Sequence, residues 1–342
     1  MRWKWTDTST SPAPEAAARP AEDRVPFTSS AVADRGSKSP EAVLPQQDSS
    51  CSLIEAGLWT LGYLLAQAVL LVLFFSVLLL SAFGLHWPEI DVIERWVLSI
   101  ELDRSFLLVG VPVLGMLFVV LPAVRWREGR EFRRQIGWRV PTLDETIIAL
   151  ATVCPVALIG NLVYQVAREP ALFHHSFAPM AGVVRKTSLD HLQASFEGVP
   201  YLVLVISMAL APAVVEELVF RGVIGRRLVG RFGVILGTLM AATCFAAVHG
   251  SLPHALATLP VGIVLQLVYL QTGTIWLPVL VHFCNNLLAI SAIHFHLDQN
   301  QPTSTALLVS LVIYLVMMLV WLQYRSPHAG LAGRRCSTSI SS

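Results

Sequence analysis

This sequence contains few charged residues. Of its 342 residues, 14% are Asp, Glu, Lys or Arg and 54% are hydrophobic, and the mean hydropathy is +0.62. A soluble domain typically carries roughly 25% charged residues. The scarcity of charge excludes a soluble two-domain protein, and the net charge of +1 gives no indication of a nucleic-acid partner.

Three further features are missing. The five cysteines are widely spaced, which excludes a disulfide framework and a cysteine zinc motif, and those in apolar segments are expected to be buried as small apolar residues. No HExxH motif is present, although it is the commonest signature of a zinc protease. No apolar stretch occurs near the start, so no cleaved signal peptide is expected.

The sequence instead contains long apolar runs. They predict an all-α fold in which about eight transmembrane helices follow a disordered polar N-terminal tail, as in a polytopic membrane protein. Each run is near the ~20 residues that a bilayer requires. The predicted spans are 57–83, 105–124, 146–166, 200–224, 232–249, 252–270, 274–294 and 304–323.

The distribution of Lys and Arg between the loops predicts the orientation. Twelve lie on the side of the termini and five on the other, not counting the N-terminal tail. Both termini are therefore expected in the cytoplasm, with residues 84–104 and 167–199 facing outward. The twelve are Arg125, Arg127, Arg130, Arg133, Arg134, Arg139, Arg226, Arg227, Arg231, Arg325, Arg334 and Arg335; the five are Arg95, Arg104, Arg168, Arg185 and Lys186.

The apolar stretch ALAPAVVEELVFRG contains two adjacent carboxylates and an arginine. Charged side chains inside a membrane are costly and usually functional. On a helix, Glu217 and Arg221 are four residues apart and form a favourable ion pair. Glu216 lies about 100° away and remains available as a general base. The alternative is a buried ion pair that only fixes helix packing.

Two later apolar segments carry polar residues at helical spacing. The fifth predicted span ends within CFAAVHG, and His249 is its last residue. Phe245 lies one turn earlier on the same face. In LPVLVHFCNN, His282 and Asn286 are four apart, also on one face. Taken singly, His249 could be an interfacial residue and the His282–Asn286 pair an interhelical clamp.

Two prolines precede the polar residues by four positions. Pro212 comes before Glu216, and Pro278 comes before His282. Proline cannot donate to the helix ladder, so a freed carbonyl is expected at both places, and a kink at Pro212. Irregular backbone inside a membrane is tolerated where it lines a cavity.

Taken together, these residues favour hydrolysis. A glutamate and a histidine can hold and deprotonate a water molecule. A second histidine and an asparagine can donate hydrogen bonds to a developing oxyanion.

The same motifs resemble those of a known family. EELVFR fits EExxxR, FAAVH fits FxxxH and HFCNN fits HxxxN, in that order on successive predicted spans. The ordered set resembles the CPBP family, which comprises type II CAAX prenyl endopeptidases and bacterial bacteriocin-processing or self-immunity (Abi) proteins. The resemblance covers residues 200–295.

The resemblance implies a role for each residue. Glu216 and His249 would activate the water, and His282 and Asn286 would form the oxyanion hole. Substrate positioning would fall to Glu217, Arg221 and Phe245. Members of the family were long labelled metalloproteases, but the resemblance implies a metal-independent, glutamate-type protease without a cofactor. The alternative is a zinc ion held by a glutamate and two histidines.

The resemblance also implies an organisation for the chain. Residues 1–50 would form a disordered cytoplasmic tail, 51–199 the N-terminal transmembrane helices, 200–295 the catalytic helical core, and 296–342 the last transmembrane helix and a cytoplasmic tail. The expected partners are a peptide or protein substrate, which could itself be membrane-associated, and the lipid bilayer. The expected location is a bacterial plasma membrane.

Two non-enzymatic hypotheses remain. An immunity or scaffold protein could use the same pocket for binding. A transporter could also carry intramembrane Glu, Arg and His, but the two halves of the sequence show no convincing repeat.

One geometric difficulty accompanies the enzyme hypothesis. A straight helix running from Arg231 would bring His249 nearer the outer face than Glu216. The GxxxG motif at Gly233 and Gly237 could allow close, tilted packing of this segment.

Overall fold

The computed structural model describes residues 53–84, 88–167, 196, 199–297 and 304–325, without the side chains of 97–109. Every regular element in these ranges is helical, which confirms the predicted all-α fold. The predicted tail 1–50, nearly all of the outward segment 167–199 and residues 326–342 lie outside the described residues.

The described part of the N-terminal half contains five α-helices. They are α1 (Leu53–Phe83), α2 (Ile90–Glu128), the short α3 (Phe132–Gln135), α4 (Leu143–Ala151) and α5 (Val153–Ala167). A 3₁₀ turn, Gly129–Glu131, joins α2 to α3. Residues 90–104, which are expected to face outward, belong to α2, so this part of the connection between the first two spans is helical.

The C-terminal half carries the polar motifs. Its α-helices are α6 (Tyr201–Leu204), α7 (Ala211–Val219), α8 (Arg226–Ala247), α9 (Leu252–Thr272), α10 (Trp276–His294) and α11 (Thr305–Arg325). Two π-helices, Val205–Leu210 and Phe220–Gly225, flank α7 on either side.

Seven segments among the described residues are long and apolar enough to cross a membrane, so the chain is a multi-pass integral membrane protein. One of them, Tyr201–Ala247, is 47 residues long and covers both the fourth and the fifth predicted spans. The seven segments therefore account for all eight predictions.

The long segment is interrupted at Gly233. This residue has φ 78° and ψ 173°, which is not helical. A Cβ atom added to Gly237 would lie 2.5 Å from the Cα atom of Val229. In a straight helix these residues would be about 12 Å apart along the axis. The chain therefore folds back at Gly233, and the predicted close packing at GxxxG occurs within this helical hairpin.

The hairpin removes the expected difference in depth between Glu216 and His249. Glu216 lies seventeen residues before Gly233, and His249 lies sixteen residues after it. Because the two arms run in opposite directions from one turn, the two side chains reach a similar level. The expected difference in depth assumed a straight helix that starts at Arg231. The turn lies at Gly233, two residues after that arginine.

The two prolines have different effects. Pro212 lies in the first turn of α7, directly after the π-helix Val205–Leu210, so the predicted irregularity is confirmed. Pro278 lies in the first turn of α10, which runs uninterrupted from Trp276. An N–H group is not used at that position of a helix, so the expected freed carbonyl inside this span was wrong.

Several arginines expected only to set the orientation also bind carboxylates. Glu128 is 4% exposed and accepts hydrogen bonds from both Arg226 and Arg227. Arg127 donates to Glu55 at 2.7 Å. These pairs connect α1 and α2 to the start of α8, and thereby fix one end of the bundle.

The described cysteines only partly fit the expected burial. Cys244 and Cys284 are half-buried, whereas Cys154 is exposed on the surface of α5. All three are free thiols. Cys51 and Cys336 lie outside the described residues.

The hairpin contact leads to a stability prediction. Replacing Gly237 with Ala should destabilise the protein by about 1–3 kcal/mol, because the added methyl group meets backbone atoms that cannot move freely. The measurement is the thermal unfolding midpoint in detergent. Gly62→Ala is the matched control, because its Cβ would meet nothing within 4 Å. Equal midpoints for the two variants would contradict the tight hairpin.

Candidate active site

The predicted ion pair between Glu217 and Arg221 is present and buried. Glu217 is 0% exposed and Arg221 is 1% exposed. An Arg221 guanidinium nitrogen donates to Glu217 Oε1 at 2.7 Å, and another donates to the backbone carbonyl of Gly262 at 3.1 Å. The arginine thus connects its own helical segment to α9.

His282 joins this pair from α10. Its Nδ1 lies 2.8 Å from Glu217 Oε1. An ionised carboxylate can only accept hydrogen bonds, so Nδ1 carries the proton. Nε2 then points to the other carboxylate and lies 4.0 Å from Glu216 Oε2. The residue predicted for the oxyanion hole therefore lies between the two glutamates.

Glu216 is buried but only partly satisfied. It is 8% exposed, and its Oε1 accepts a hydrogen bond from the hydroxyl of Tyr63 at 3.3 Å. Its Oε2 is buried and has no hydrogen-bond partner within the described part of the chain. A buried carboxylate oxygen without a partner is costly, and such groups usually have a functional reason.

His249 has a defined tautomer. Its Nδ1 lies 2.9 Å from the carbonyl oxygen of Phe245. A carbonyl can only accept, so Nδ1 donates and the neutral ring has a lone pair on Nε2. The ring is half-buried, which leaves this nitrogen with access to solvent or a ligand.

Phe245 contacts several of these groups at once. Its ring lies 4.3 Å from the Arg221 guanidinium carbon, and 5.0 Å and 5.6 Å from the rings of His249 and His282. A cation above an aromatic face is favourable, especially away from water. At 1% exposure the ring has little surface to offer a peptide, so it acts on the site through these three neighbours.

Asn286 is less closely tied to the cluster. It lies one turn after His282 on α10 and is half-buried. Its Oδ1 is 3.5 Å from the amide nitrogen of Asn285. Among the described residues, the structure does not bring it into the hydrogen-bond network of Glu217 and His282.

The zinc alternative requires a glutamate and two histidines close to one point. Across the described ranges, no three side chains of His, Cys, Asp or Glu are placed to share one metal ion. Both histidines use Nδ1 for a hydrogen bond, to Glu217 and to a carbonyl, so each could bind a metal ion only through Nε2. A His₂Glu site needs three free donors around one point.

Two residues of this site were missed by the sequence analysis. Tyr63 and Gln67 of α1 lie next to Glu216, and Gln67 donates to the Tyr63 hydroxyl at 3.1 Å. They are four residues apart on an otherwise apolar helix, a spacing that could have indicated a shared buried face.

Comparison with known families matches the segment that carries the motifs. Residues 198–288 match the family model described as type II CAAX prenyl endopeptidase, Rce1-like. The match includes Glu216, Glu217, Arg221, His249 and His282, with Asn286 near its end. The resemblance predicted from the three motifs is thereby confirmed for this segment.

A search of curated proteins gives a matching relative. The chain is 28% identical over 125 residues to a Bacillus subtilis protein named "Putative membrane peptidase YdiL". The alignment covers 35% of this chain and 48% of the relative, so it spans about half of that protein's length. No solved structure matches the chain. Both matches are to proteins described as peptidases.

The two adjacent glutamates are expected to differ in their effects on stability. Glu217→Gln leaves Arg221 without its buried counter-charge, which should cost about 3–5 kcal/mol. Glu216→Gln removes a charge with an unsatisfied oxygen and should leave stability unchanged or higher. Thermal unfolding of both variants in detergent measures the difference. Equal losses would show that the two carboxylates have the same structural role.

Proposed function

We propose that this protein is an intramembrane endopeptidase that hydrolyses a peptide bond with a water molecule activated by Glu216 and His249. One observation carries the proposal. A buried carboxylate oxygen of Glu216 has no hydrogen-bond partner among the described residues and faces Nε2 of His282, on a hairpin that brings His249 to the same level. A water molecule between these groups would satisfy the free oxygen.

The chemical step needs one base and one set of donors. A water oxygen attacks the carbonyl carbon of the substrate while its proton passes to Glu216 or to Nε2 of His249. The carbonyl π bond breaks and its electron pair moves to oxygen. The electron pair on the oxyanion then re-forms the C=O bond as the C–N bond breaks. The held proton passes to the departing amine, which leaves a carboxylic acid and an amine, so atoms and charge balance.

The oxyanion is stabilised by His282 and Asn286. With Nδ1 bonded to Glu217, His282 can donate from Nε2 only as an imidazolium. Two carboxylates and one guanidinium surround it, so an imidazolium brings the net charge of the four side chains to zero. The side-chain amide of Asn286 supplies the second donor.

Glu217, Arg221 and Phe245 position these groups. Glu217 holds His282 and Arg221, and Phe245 packs against Arg221 and both histidines. A catalytic geometry must be held within a fraction of an ångström, and rigid buried neighbours provide that support. No cofactor is needed in this scheme.

The proposed substrate is a peptide or protein segment that reaches the bilayer, with no nucleic-acid partner. The support is the depth of Glu216 within a membrane-crossing segment and the Rce1-like family match. The proposed location is a bacterial plasma membrane, supported by the Bacillus subtilis relative. The family description names prenylated CAAX substrates, so farnesylated peptides belong in the first substrate panel.

A cleavage assay tests the proposal. Purified protein in detergent is given a peptide library that includes farnesylated CAAX peptides. Glu216→Gln and His249→Ala should each lower kcat/KM by roughly 10²–10⁴-fold, because each removes a proton-transfer group. Glu131→Gln, an exposed carboxylate on the 3₁₀ turn, is the control and should retain full activity.

Each variant is assayed with and without a zinc chelator. Cleavage that survives chelation and disappears in both variants supports the glutamate-type mechanism. Cleavage lost on chelation would favour the zinc alternative. Absence of cleavage by the wild-type protein, with Glu216→Gln retaining biological activity, would favour an immunity or scaffold protein.

Two adjacent asparagines allow a matched test of the oxyanion hole. Asn286→Ala should lower kcat by about 10²–10³-fold with little change in KM, because the donor acts mainly in the transition state. Asn285→Ala makes the same chemical change one position away and should retain most activity. Steady-state kinetics on one cleaved peptide measure both. Similar losses in the two variants would contradict the assignment.

A further inference from the structure

Helix α1 makes one specific contact with the candidate active site. Most of this helix is exposed, and its buried residues are Ala56 and Tyr63. Tyr63 is 3% exposed, whereas its neighbours Leu61 and Leu65 are 52% and 56% exposed. A membrane helix that faces lipid with most of its surface thus inserts one large polar side chain into the protein interior.

The Tyr63 side chain ends at Glu216. Its hydroxyl lies 3.3 Å from Glu216 Oε1, and its ring packs edge-to-face on Phe220 at 5.6 Å. An ionised carboxylate has no proton to donate, so the tyrosine is the donor. The contact reaches the carboxylate proposed as the catalytic base, whose Oε2 has no hydrogen-bond partner among the described residues.

Gln67 fixes the direction of this hydrogen bond. Its Nε2 donates to the Tyr63 hydroxyl oxygen at 3.1 Å. The amide hydrogen occupies a lone pair of that oxygen, so the hydroxyl proton is directed to Glu216. Successive hydrogen bonds of this kind strengthen one another. The sequence of donors is therefore Gln67, Tyr63, Glu216.

The hydrogen bond also restricts what Glu216 can do. Its Oε2 lies 4.0 Å from Nε2 of His282, which is too far for a direct hydrogen bond. A carboxylate free to rotate could close that gap and occupy the donor proposed for the oxyanion. Because Tyr63 holds the opposite oxygen, Oε2 and Nε2 remain 4.0 Å apart.

We propose that Tyr63, oriented by Gln67, is a positioning residue that holds the Glu216 carboxylate in its reactive orientation. The inference rests on the proposed function, because it assigns Glu216 as the catalytic base. Tyr63 lies outside the matched segment 198–288, so the family match does not assign it. The complete site would then require α1 as well as the motif-bearing helices.

The kinetic test uses variants that keep the shape of the side chain. Tyr63→Phe retains the ring on Phe220 and removes only the hydroxyl, so kcat should fall by about tenfold, as for loss of one hydrogen bond to a charged group. KM and the thermal midpoint should change little. Tyr201→Phe is the matched control, because it removes another part-buried hydroxyl that bonds to Ser291 at 2.7 Å.

Gln67 variants test the direction of the hydrogen bond. Gln67→Leu removes the donor and should lower kcat modestly. Gln67→Glu introduces an acceptor-only group that draws the hydroxyl proton away from Glu216. It should therefore lower kcat more than Gln67→Leu does. A merely structural role for Gln67 predicts no such order, and the reverse order would overturn the proposed direction.

An infrared measurement tests the contact without using activity. The difference spectrum between wild type and Glu216→Gln identifies the carboxylate band of Glu216. Tyr63→Phe should shift that band, and Tyr201→Phe should leave it in place. An unmoved band, or an unchanged kcat in Tyr63→Phe, would overturn the inference. A shifted band in a protein that cleaves no peptide would support the contact and overturn the proposed function alone.

Discussion

The arrangement of the site depends on one carboxylate, that of Glu217, which has no exposed surface. A charge in this position is unfavourable unless it is paired and hydrogen-bonded. Its Oε1 accepts from Arg221 at 2.7 Å and from Nδ1 of His282 at 2.8 Å. Arg221 in turn donates to the carbonyl of Gly262 on α9. The need to satisfy one buried charge therefore fixes the relative positions of three helical segments and sets the tautomer of the histidine.

Two identical residues, adjacent in sequence, have different environments as a result. Glu217 accepts hydrogen bonds from Arg221 and His282, whereas Glu216 accepts one from Tyr63 and faces the same histidine from the other side. The helical step of about 100° points the two side chains in different directions. In the proposed mechanism this separation divides the work, because Glu217 is held by a guanidinium and an imidazole and is a poor base, whereas Glu216 accepts one hydrogen bond and can accept a proton.

Irregular backbone makes this placement possible. The α-helix carrying both glutamates is flanked by π-helices, which are frequent at functional sites and change the direction in which side chains point. Gly233 reverses the chain, and Gly237 allows the two arms of the hairpin to pack with backbone in contact. Only a residue without a Cβ fits at position 237. The position of His249 along the bundle, relative to Glu216, therefore depends on a glycine that contacts neither residue.

The sequence by itself determined the helical membrane fold, the approximate spans and the set of motif residues, because hydropathy, helical spacing and the cost of buried charge are local properties. The Glu217–Arg221 pair followed from its spacing of four residues. Only the tertiary structure decided that His282 bonds to Glu217, that Gly233 folds the chain back, and that Tyr63 reaches Glu216 from a helix 153 residues earlier. The reason is physical: such contacts depend on which helix faces pack together, and the packing of distant segments is not encoded in the spacing within any one of them.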